Sequence, residues 1–241
     1  MPDLTPPPRT LKRIGHKGAD LITPGNTLAS FDAALAAGVD MVEFDVLRVP
    51  DGRLVLAHDY HDGERPDALT LDEGLDHFAG EAYAEVELNV DLKLPGYEQR
   101  VVDALHEHGL AERALISTME ESSLPIVRAA DPRIRLGWSV PKIRRNPLSS
   151  RWTRVPAMVL ARYAQLILPG RAATAIRSGR IDALMCHWAL VSARLVRTID
   201  DAGGELYVWT VDDAERIAKL ERLGVTGVIT NDPRLFGGAA A

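Results

Sequence analysis

Ile14-Gly15-His16-Lys17-Gly18 and Val42-Glu43-Phe44-Asp45-Val46 decide how this chain folds. In the first stretch an apolar run breaks into glycine, with a histidine and a lysine at the break. In the second, two carboxylates alternate with apolar residues, and side chains two apart on a strand share a face. A third run, Leu54-Val55-Leu56-Ala57-His58-Asp59, also ends on a histidine. Two histidines, a lysine and a carboxylate pair at strand ends are the parts that metal-assisted phosphate chemistry requires.

Outward from these stretches, short apolar runs alternate with helical patterns, which argues for βαβ units and a parallel sheet. Barrel strands are expected near Leu11–His16, Asp40–Val46, Leu88–Leu92, Ala114–Ser117, Ile134–Trp138, Ala183–Cys186, Glu205–Trp209 and Gly227–Thr230. The run Leu54–Ala57 follows Asp51-Gly52, a hairpin signal, and reads as the return arm of a hairpin after the second strand. Asn26 is expected to cap a helix over Thr27–Ala37 that Gly38 stops. Asp212, with Glu215 three residues on, is expected to start a helix over Ala214–Leu223 that Gly224 ends. The expected architecture is a single α/β domain over 1–241, a TIM (β/α)8 barrel, with 1–10 as a flexible N-terminal segment. Lys142 to Gly170 is the one large departure, a basic and apolar insertion in which prolines cut a loop from a helix.

The chain has 241 residues, 46% of them hydrophobic, and one cysteine, Cys186, which excludes an internal disulfide. No apolar leader precedes Lys12 and no run reaches the length of a membrane span, so a cytoplasmic protein is expected. The net charge of −6 hides an asymmetry: Arg133 to Ile181 holds eleven Lys or Arg and no Asp or Glu, leaving −17 on the rest. That basic stretch is either a solvated face or an anion-facing surface, for instance toward an anionic membrane. Nucleic acid is not an expected partner, because the rest of the barrel would repel it.

Glu43, Asp45 and Asp91 offer only oxygen ligands, which suits one hard divalent cation, Mg²⁺ or Ca²⁺. His16 and His58 suit paired general acid and base, because an imidazole titrates near neutrality. Lys17 and Lys93 would bind phosphate oxygens as point charges, or neutralise the carboxylates. Trp209 is expected as an apolar wall beside the substrate or as filling of the barrel. His61 and His187 are further candidates, and Asp59 either orients His58 or turns the chain.

These residues, in this order, resemble the glycerophosphodiester phosphodiesterase family. The motifs are His16-Lys17-Gly18, Pro24-Gly25-Asn26-Thr27-Leu28-Ala29-Ser30-Phe31, Glu43-Phe44-Asp45, Asp51-Gly52 with His58-Asp59, Asp91-Leu92-Lys93, Val208-Trp209-Thr210-Val211 and Gly227-Val228-Ile229-Thr230-Asn231. The chain departs from the family pattern at Lys17, Gly25 and Asp91, where the family usually has Arg, Glu and Glu. The insertion the family carries after the second histidine is shortened here, since His58 reaches Leu71 in a dozen residues. The resemblance implies hydrolysis of glycerophosphodiesters to glycerol phosphate and an alcohol. The alternatives are lysophospholipase D or sphingomyelinase D-like cleavage of lipid phosphodiesters, and a barrel that binds lipid or a partner without catalysis. The expected partner is a small phosphodiester or lysophospholipid, with peripheral contact to an anionic membrane through 142–170.

Overall fold

The computed structural model describes residues 10–142 and 151–239, so the expectations placed on 1–9 and on 143–150 lie outside the described residues. Nine strands form one closed sheet: β1 (Lys12–Gly15), β2 (Met41–Arg48), β3 (Leu54–Leu56), β4 (Glu87–Leu92), β5 (Ala114–Thr118), β6 (Arg135–Val140), β7 (Ala183–His187), β8 (Glu205–Trp209) and β9 (Gly227–Thr230). Eight run parallel, and β9 closes the ring against β1. β3 returns antiparallel along β2 after the turn at Gly52, whose φ of 91° is the left-handed conformation that favours glycine. The TIM barrel and its hairpin are as expected.

Around the sheet run α1 (Leu28–Ala36), α2 (Tyr60–Gly63), α3 (Leu71–Phe78), α4 (Glu98–Glu107), α5 (Leu124–Ala130), α6 (Arg151–Arg177), α7 (Ala193–Asp200) and α8 (Ala214–Leu223). Two helix starts differ from expectation in the same way. Thr27, not Asn26, caps α1 by accepting the Ser30 N–H at 3.2 Å. Asp213, not Asp212, caps α8 by accepting the Arg216 N–H at 2.7 Å. In each case the neighbouring polar residue satisfies the helix end, and the residue before it turns toward the barrel mouth.

From Arg151 the insertion is one long helix that continues past Gly170. α6 spans 27 residues and runs through Pro156 and Pro169, which makes it about 40 Å long at about 1.5 Å per residue. Leu168, Ala172, Ala173 and Ala175 bury its later part against the barrel, whereas Arg162 and Leu166 upstream are exposed. No helix among the described residues is long and apolar enough to cross a membrane.

Residues two apart along each strand share a face, so the inward side chains stack in layers drawn from alternate strands. The lowest layer is Lys12, Glu87, Arg135 and Glu205, from β1, β4, β6 and β8. Lys12 Nζ meets Glu87 Oε1 at 2.5 Å, Arg135 pairs with the other Glu87 oxygen, and Arg135 Nη1 reaches Glu205 Oε2 at 3.4 Å. An apolar plug of Ile14, Met41, Leu115, Met185, Tyr207 and Ile229 sits above. On β2, Phe44 faces outward and packs on Phe78 and Phe31 with ring centroids 5.2 and 6.1 Å apart. A one-residue slip would turn that ring inward and send Glu43 and Asp45 out of the barrel. Phe44 therefore fixes which way the carboxylates point.

Candidate active site

β4 occupies one edge of β2, so β1 and β3 share the other. β1 pairs with Met41 and Val42, and β3 pairs with Val46 to Arg48. His16 leaves β1 and His58 follows β3, so both arrive in the interval beside Glu43 and Asp45. Gly15 is needed at that exit, because a Cβ there would lie 2.1 Å from the Gly18 carbonyl oxygen.

Glu43, Asp45 and Asp91 are buried, and each places a carboxylate oxygen within 4.8 Å of the others. Asp45 and Asp91 are register neighbours on β2 and β4. Lys93 bridges them: its Nζ is 2.7 Å from Asp91 Oδ2 and also contacts Asp45 Oδ1. Ser117 donates to Asp91 Oδ1 at 2.8 Å. Asn26 donates to Asp45 Oδ2 at 2.9 Å and accepts the Asp45 N–H at 3.1 Å. Glu43 accepts the Lys17 backbone N–H at 2.8 Å and faces His16 Nε2 at 3.8 Å.

The charges do not balance. Burial drives the Glu43 carboxyl well above its usual range, and the charges of Asp45 and Asp91 push the same way against Lys93. Burial also opposes ionisation of Asp45, but Lys93 outweighs it and holds Asp45 at about 2. Lys93 stays protonated despite its own burial, because the carboxylates of Asp45, Asp91 and Glu43 surround it.

His16 is held by a chain of side chains. Its Nδ1 is 2.5 Å from Asn231 Oδ1. Asn231 Nδ2 donates to Asp212 Oδ2 at 2.7 Å, and Asp212 Oδ1 accepts the Asn231 N–H at 2.8 Å and the Thr230 hydroxyl at 3.0 Å. With Asn231 oriented by Asp212, its Oδ1 accepts from His16 Nδ1–H, which leaves the lone pair on Nε2 toward Glu43. Burial lowers the His16 pKa, with Asp45 opposing, so the ring is in its proton-accepting form near neutrality.

His58 is more exposed, and with Lys17 and Asn26 it lines a cavity of about 400 Å³. Lys17, at φ 49°, pairs its Nζ with Asp20 Oδ2 at 2.6 Å. The pair fills the space beside Gly25, where a Cβ would meet Asp20 Oδ1 at 2.6 Å. Asp59 caps α2 by accepting the Asp62 N–H at 3.2 Å, and its 4.0 Å from His58 is too long for a hydrogen bond, so it turns the chain. Trp209 is half-buried, packs against the apolar plug and meets the His187 ring edge-on at 5.3 Å. His187 accepts the Ala189 N–H, and His61 is exposed on α2, away from the carboxylates' strands.

The motif reading did not assign site roles to Asn26, Ser117, Asn231 or Asp212. Asn26 and Asp212 read as helix caps. Ser117, near the end of β5, and Asn231, just past β9, each stand two residues beyond an inward apolar residue (Leu115 and Ile229), which is the signal that could have found them.

The parallel eight-stranded ring is a TIM barrel, and the buried carboxylate cluster and the two histidines form a candidate site at its C-terminal rim, the end where barrels of this class carry theirs. The glycerophosphoryl diester phosphodiesterase family model matches residues 16–76 and 69–235, and the chain belongs to that family. A glycerophosphodiester phosphodiesterase from Caldanaerobacter subterraneus subsp. tengcongensis is 28% identical over 91% of this chain and 93% of its own. The structure of a glycerophosphodiester phosphodiesterase from Agrobacterium tumefaciens superposes with a TM-score of 0.70 at 18% identity, covering 95% of this chain and 100% of that one. A phosphodiesterase from Oleispira antarctica, solved with its product sn-glycerol-3-phosphate, matches with a TM-score of 0.70 at 22% identity over 96% of each chain.

Proposed function

We propose that the barrel mouth hydrolyses glycerophosphodiesters to glycerol phosphate and an alcohol, using one divalent cation, Mg²⁺ or Ca²⁺, and the imidazoles of His16 and His58. One observation carries this: three buried carboxylates converge within 4.8 Å around a single ammonium. The all-oxygen donor set fits a hard dication. Glu43, Asp45 and Asp91 would hold it, and when bound it supplies charge stabilisation to a phosphate oxygen.

His16 Nε2, carrying the lone pair, takes the proton from the attacking hydroxyl, which is either water or an adjacent hydroxyl of the substrate. His58, on the open side, returns a proton to the departing alcohol oxygen. Asn231 and Asp212 hold the His16 tautomer. Lys93 is engaged by Asp45 and Asp91, so it sets their positions, and Lys17 on the cavity wall meets the phosphate. The relative that holds sn-glycerol-3-phosphate supports a small phosphate ester as product.

The test is glycerophosphocholine hydrolysis with and without Mg²⁺ or Ca²⁺. Turnover should vanish with chelator, return with either ion and fall sharply in His16→Ala and His58→Ala. Absence of turnover with every divalent ion would overturn the proposal. Full activity in either histidine variant would overturn the assignment of these imidazoles.

A further inference from the structure

Every large apolar side chain that is exposed among the described residues lies at the carboxylate end of the barrel. Leu21 and Ile22 stand in the loop after β1, and Leu28 opens α1. Tyr60 follows His58 by two residues, and Ile126 is in the first turn of α5. Trp188 directly follows β7. On α6, Leu166 and Ile167 precede Leu168, which walls a small cavity together with Val140, the last residue of β6, so this part of the helix is at the same end. Single exposed apolar residues scattered over a surface need no explanation, but a set confined to one end does.

The two sides of this end differ in charge. Beside Tyr60 the chain carries Asp59, Asp62, Glu64 and Asp67 against Arg65. Beside Leu166, Ile167 and Trp188 the balance is reversed. Arg162 of α6 and Arg194 and Arg197 of α7 are exposed, and none of the three pairs with a carboxylate among the described residues. The Arg216 guanidinium lies 4.0 Å from the centre of the Trp188 ring. Gln165 Nε2 donates to Ala189 O at 2.9 Å and ties α6 to the turn that carries Trp188. Leu166 is 63% exposed, Ile167 38% and Trp188 37%. Aliphatic side chains, an indole and arginines thus share one surface.

We propose that this side of the mouth face rests on an anionic lipid bilayer, with Leu166, Ile167 and Trp188 at the boundary between headgroups and acyl chains and Arg162, Arg194 and Arg197 on lipid phosphates. The composition matches a bilayer surface, where indoles seat at headgroup level, aliphatic side chains reach the acyl boundary and arginines meet anionic headgroups. The chain as a whole carries −6, so attraction to an anionic surface requires the basic side to face it. The proposal carries the membrane contact expected of 142–170 beyond the insertion, to Trp188 and α7, and it holds whatever the mouth hydrolyses.

The experiment is co-sedimentation of the full chain with vesicles of phosphatidylglycerol or of phosphatidylcholine, with quenching of tryptophan fluorescence by brominated acyl chains as a second readout. The wild-type protein should bind phosphatidylglycerol more tightly than phosphatidylcholine, and less so as salt is raised. Arg162→Ala, Arg194→Ala and Arg197→Ala should each weaken binding about fivefold. Leu166→Glu combined with Ile167→Glu should weaken it about tenfold or more. Trp188→Phe should lose part of the quenching. Arg177→Ala and Arg222→Ala, at exposed positions where α6 and α8 end at the opposite face of the barrel, should change nothing. An unchanged melting temperature reports that each variant folds. Absence of binding to phosphatidylglycerol overturns the proposal. Equal losses from Arg177→Ala and Arg222→Ala also overturn it, because charge alone then drives the binding, as does full quenching in Trp188→Phe. So does a wild-type dimer that the Leu166→Glu, Ile167→Glu protein dissolves while vesicle binding stays unaltered, because the apolar surface then belongs to a second copy of the chain.

Discussion

The two ends of this barrel both enclose charge, and they balance it differently. At the N-terminal end Lys12, Glu87, Arg135 and Glu205 alternate cation and carboxylate around the ring. At the C-terminal end Glu43, Asp45 and Asp91 converge around Lys93. Two glutamates register the contrast. Glu87 resists burial and is held below its usual range by hydrogen bonds from Lys12 and Arg135. Glu43 is driven well above its usual range by burial and by its own neighbours. The lower charges pair with one another and serve the fold, whereas the upper cluster holds three carboxylates against one ammonium and could take a cation. A site that sets aside stability for function has this form.

The contrast can be broken first at the upper end. Glu43→Gln and Asp45→Ala should lower glycerophosphocholine turnover by about a thousandfold or more at limiting metal, because they remove ligands whose bound ion supplies several kcal/mol. Steady-state rates against ion concentration check this. His16→Ala should cost about 10²–10⁴ in kcat, the usual range for a lost acid or base. Asn231→Ala should cost about 10–100-fold in kcat, the size seen when a partner that orients a site group is removed. A KM change alone would argue that Asn231 acts on binding instead.

The next effects are on stability, and the two ends should respond with opposite signs. Glu87→Gln leaves Lys12 and Arg135 without their carboxylate and should destabilise by about 1–3 kcal/mol. Glu43→Gln relieves repulsion and should stabilise the metal-free protein by about 1 kcal/mol, or about 2–4 °C in melting temperature. Acid should act on the lower ring in the direction Glu87 dictates. Its folded pKa lies below the unfolded value, so its contribution is complete above the unfolded glutamate range and fades as pH falls through the folded value. The Glu87→Gln protein should lose part of that acid sensitivity in melts across the same range.

Much of this was legible in the sequence because the signals are local. Asp51-Gly52 announces a hairpin, and the alternation in Val42-Glu43-Phe44-Asp45-Val46 sets two carboxylates on one face. His16 and His58 follow apolar runs that end at the rim. What was not legible depends on partners far along the chain. Asn26 resembles a cap, but Thr27 beside it caps the helix, and Asn26 at φ 57° reaches Asp45. Asp212 precedes a second aspartate that caps α8, which frees it for Asn231, and nothing in the local pattern says which of two adjacent aspartates will cap. Lys12 and Glu87 are 75 positions apart, so the lower ring emerges only from the barrel's register. The length of α6 was hidden by Pro156 and Pro169, which ordinarily end helices.

The measurement that tests the comparison most directly is a thermal melt against added Mg²⁺ or Ca²⁺, for the wild-type protein, Glu43→Gln and Glu87→Gln. Wild type and Glu87→Gln should gain melting temperature as the ion is raised, by linkage of binding to folding, and Glu43→Gln should start higher and gain little. A wild-type melt indifferent to both ions, or an equal gain in Glu43→Gln, would contradict the assignment of the upper cluster as the cation's seat.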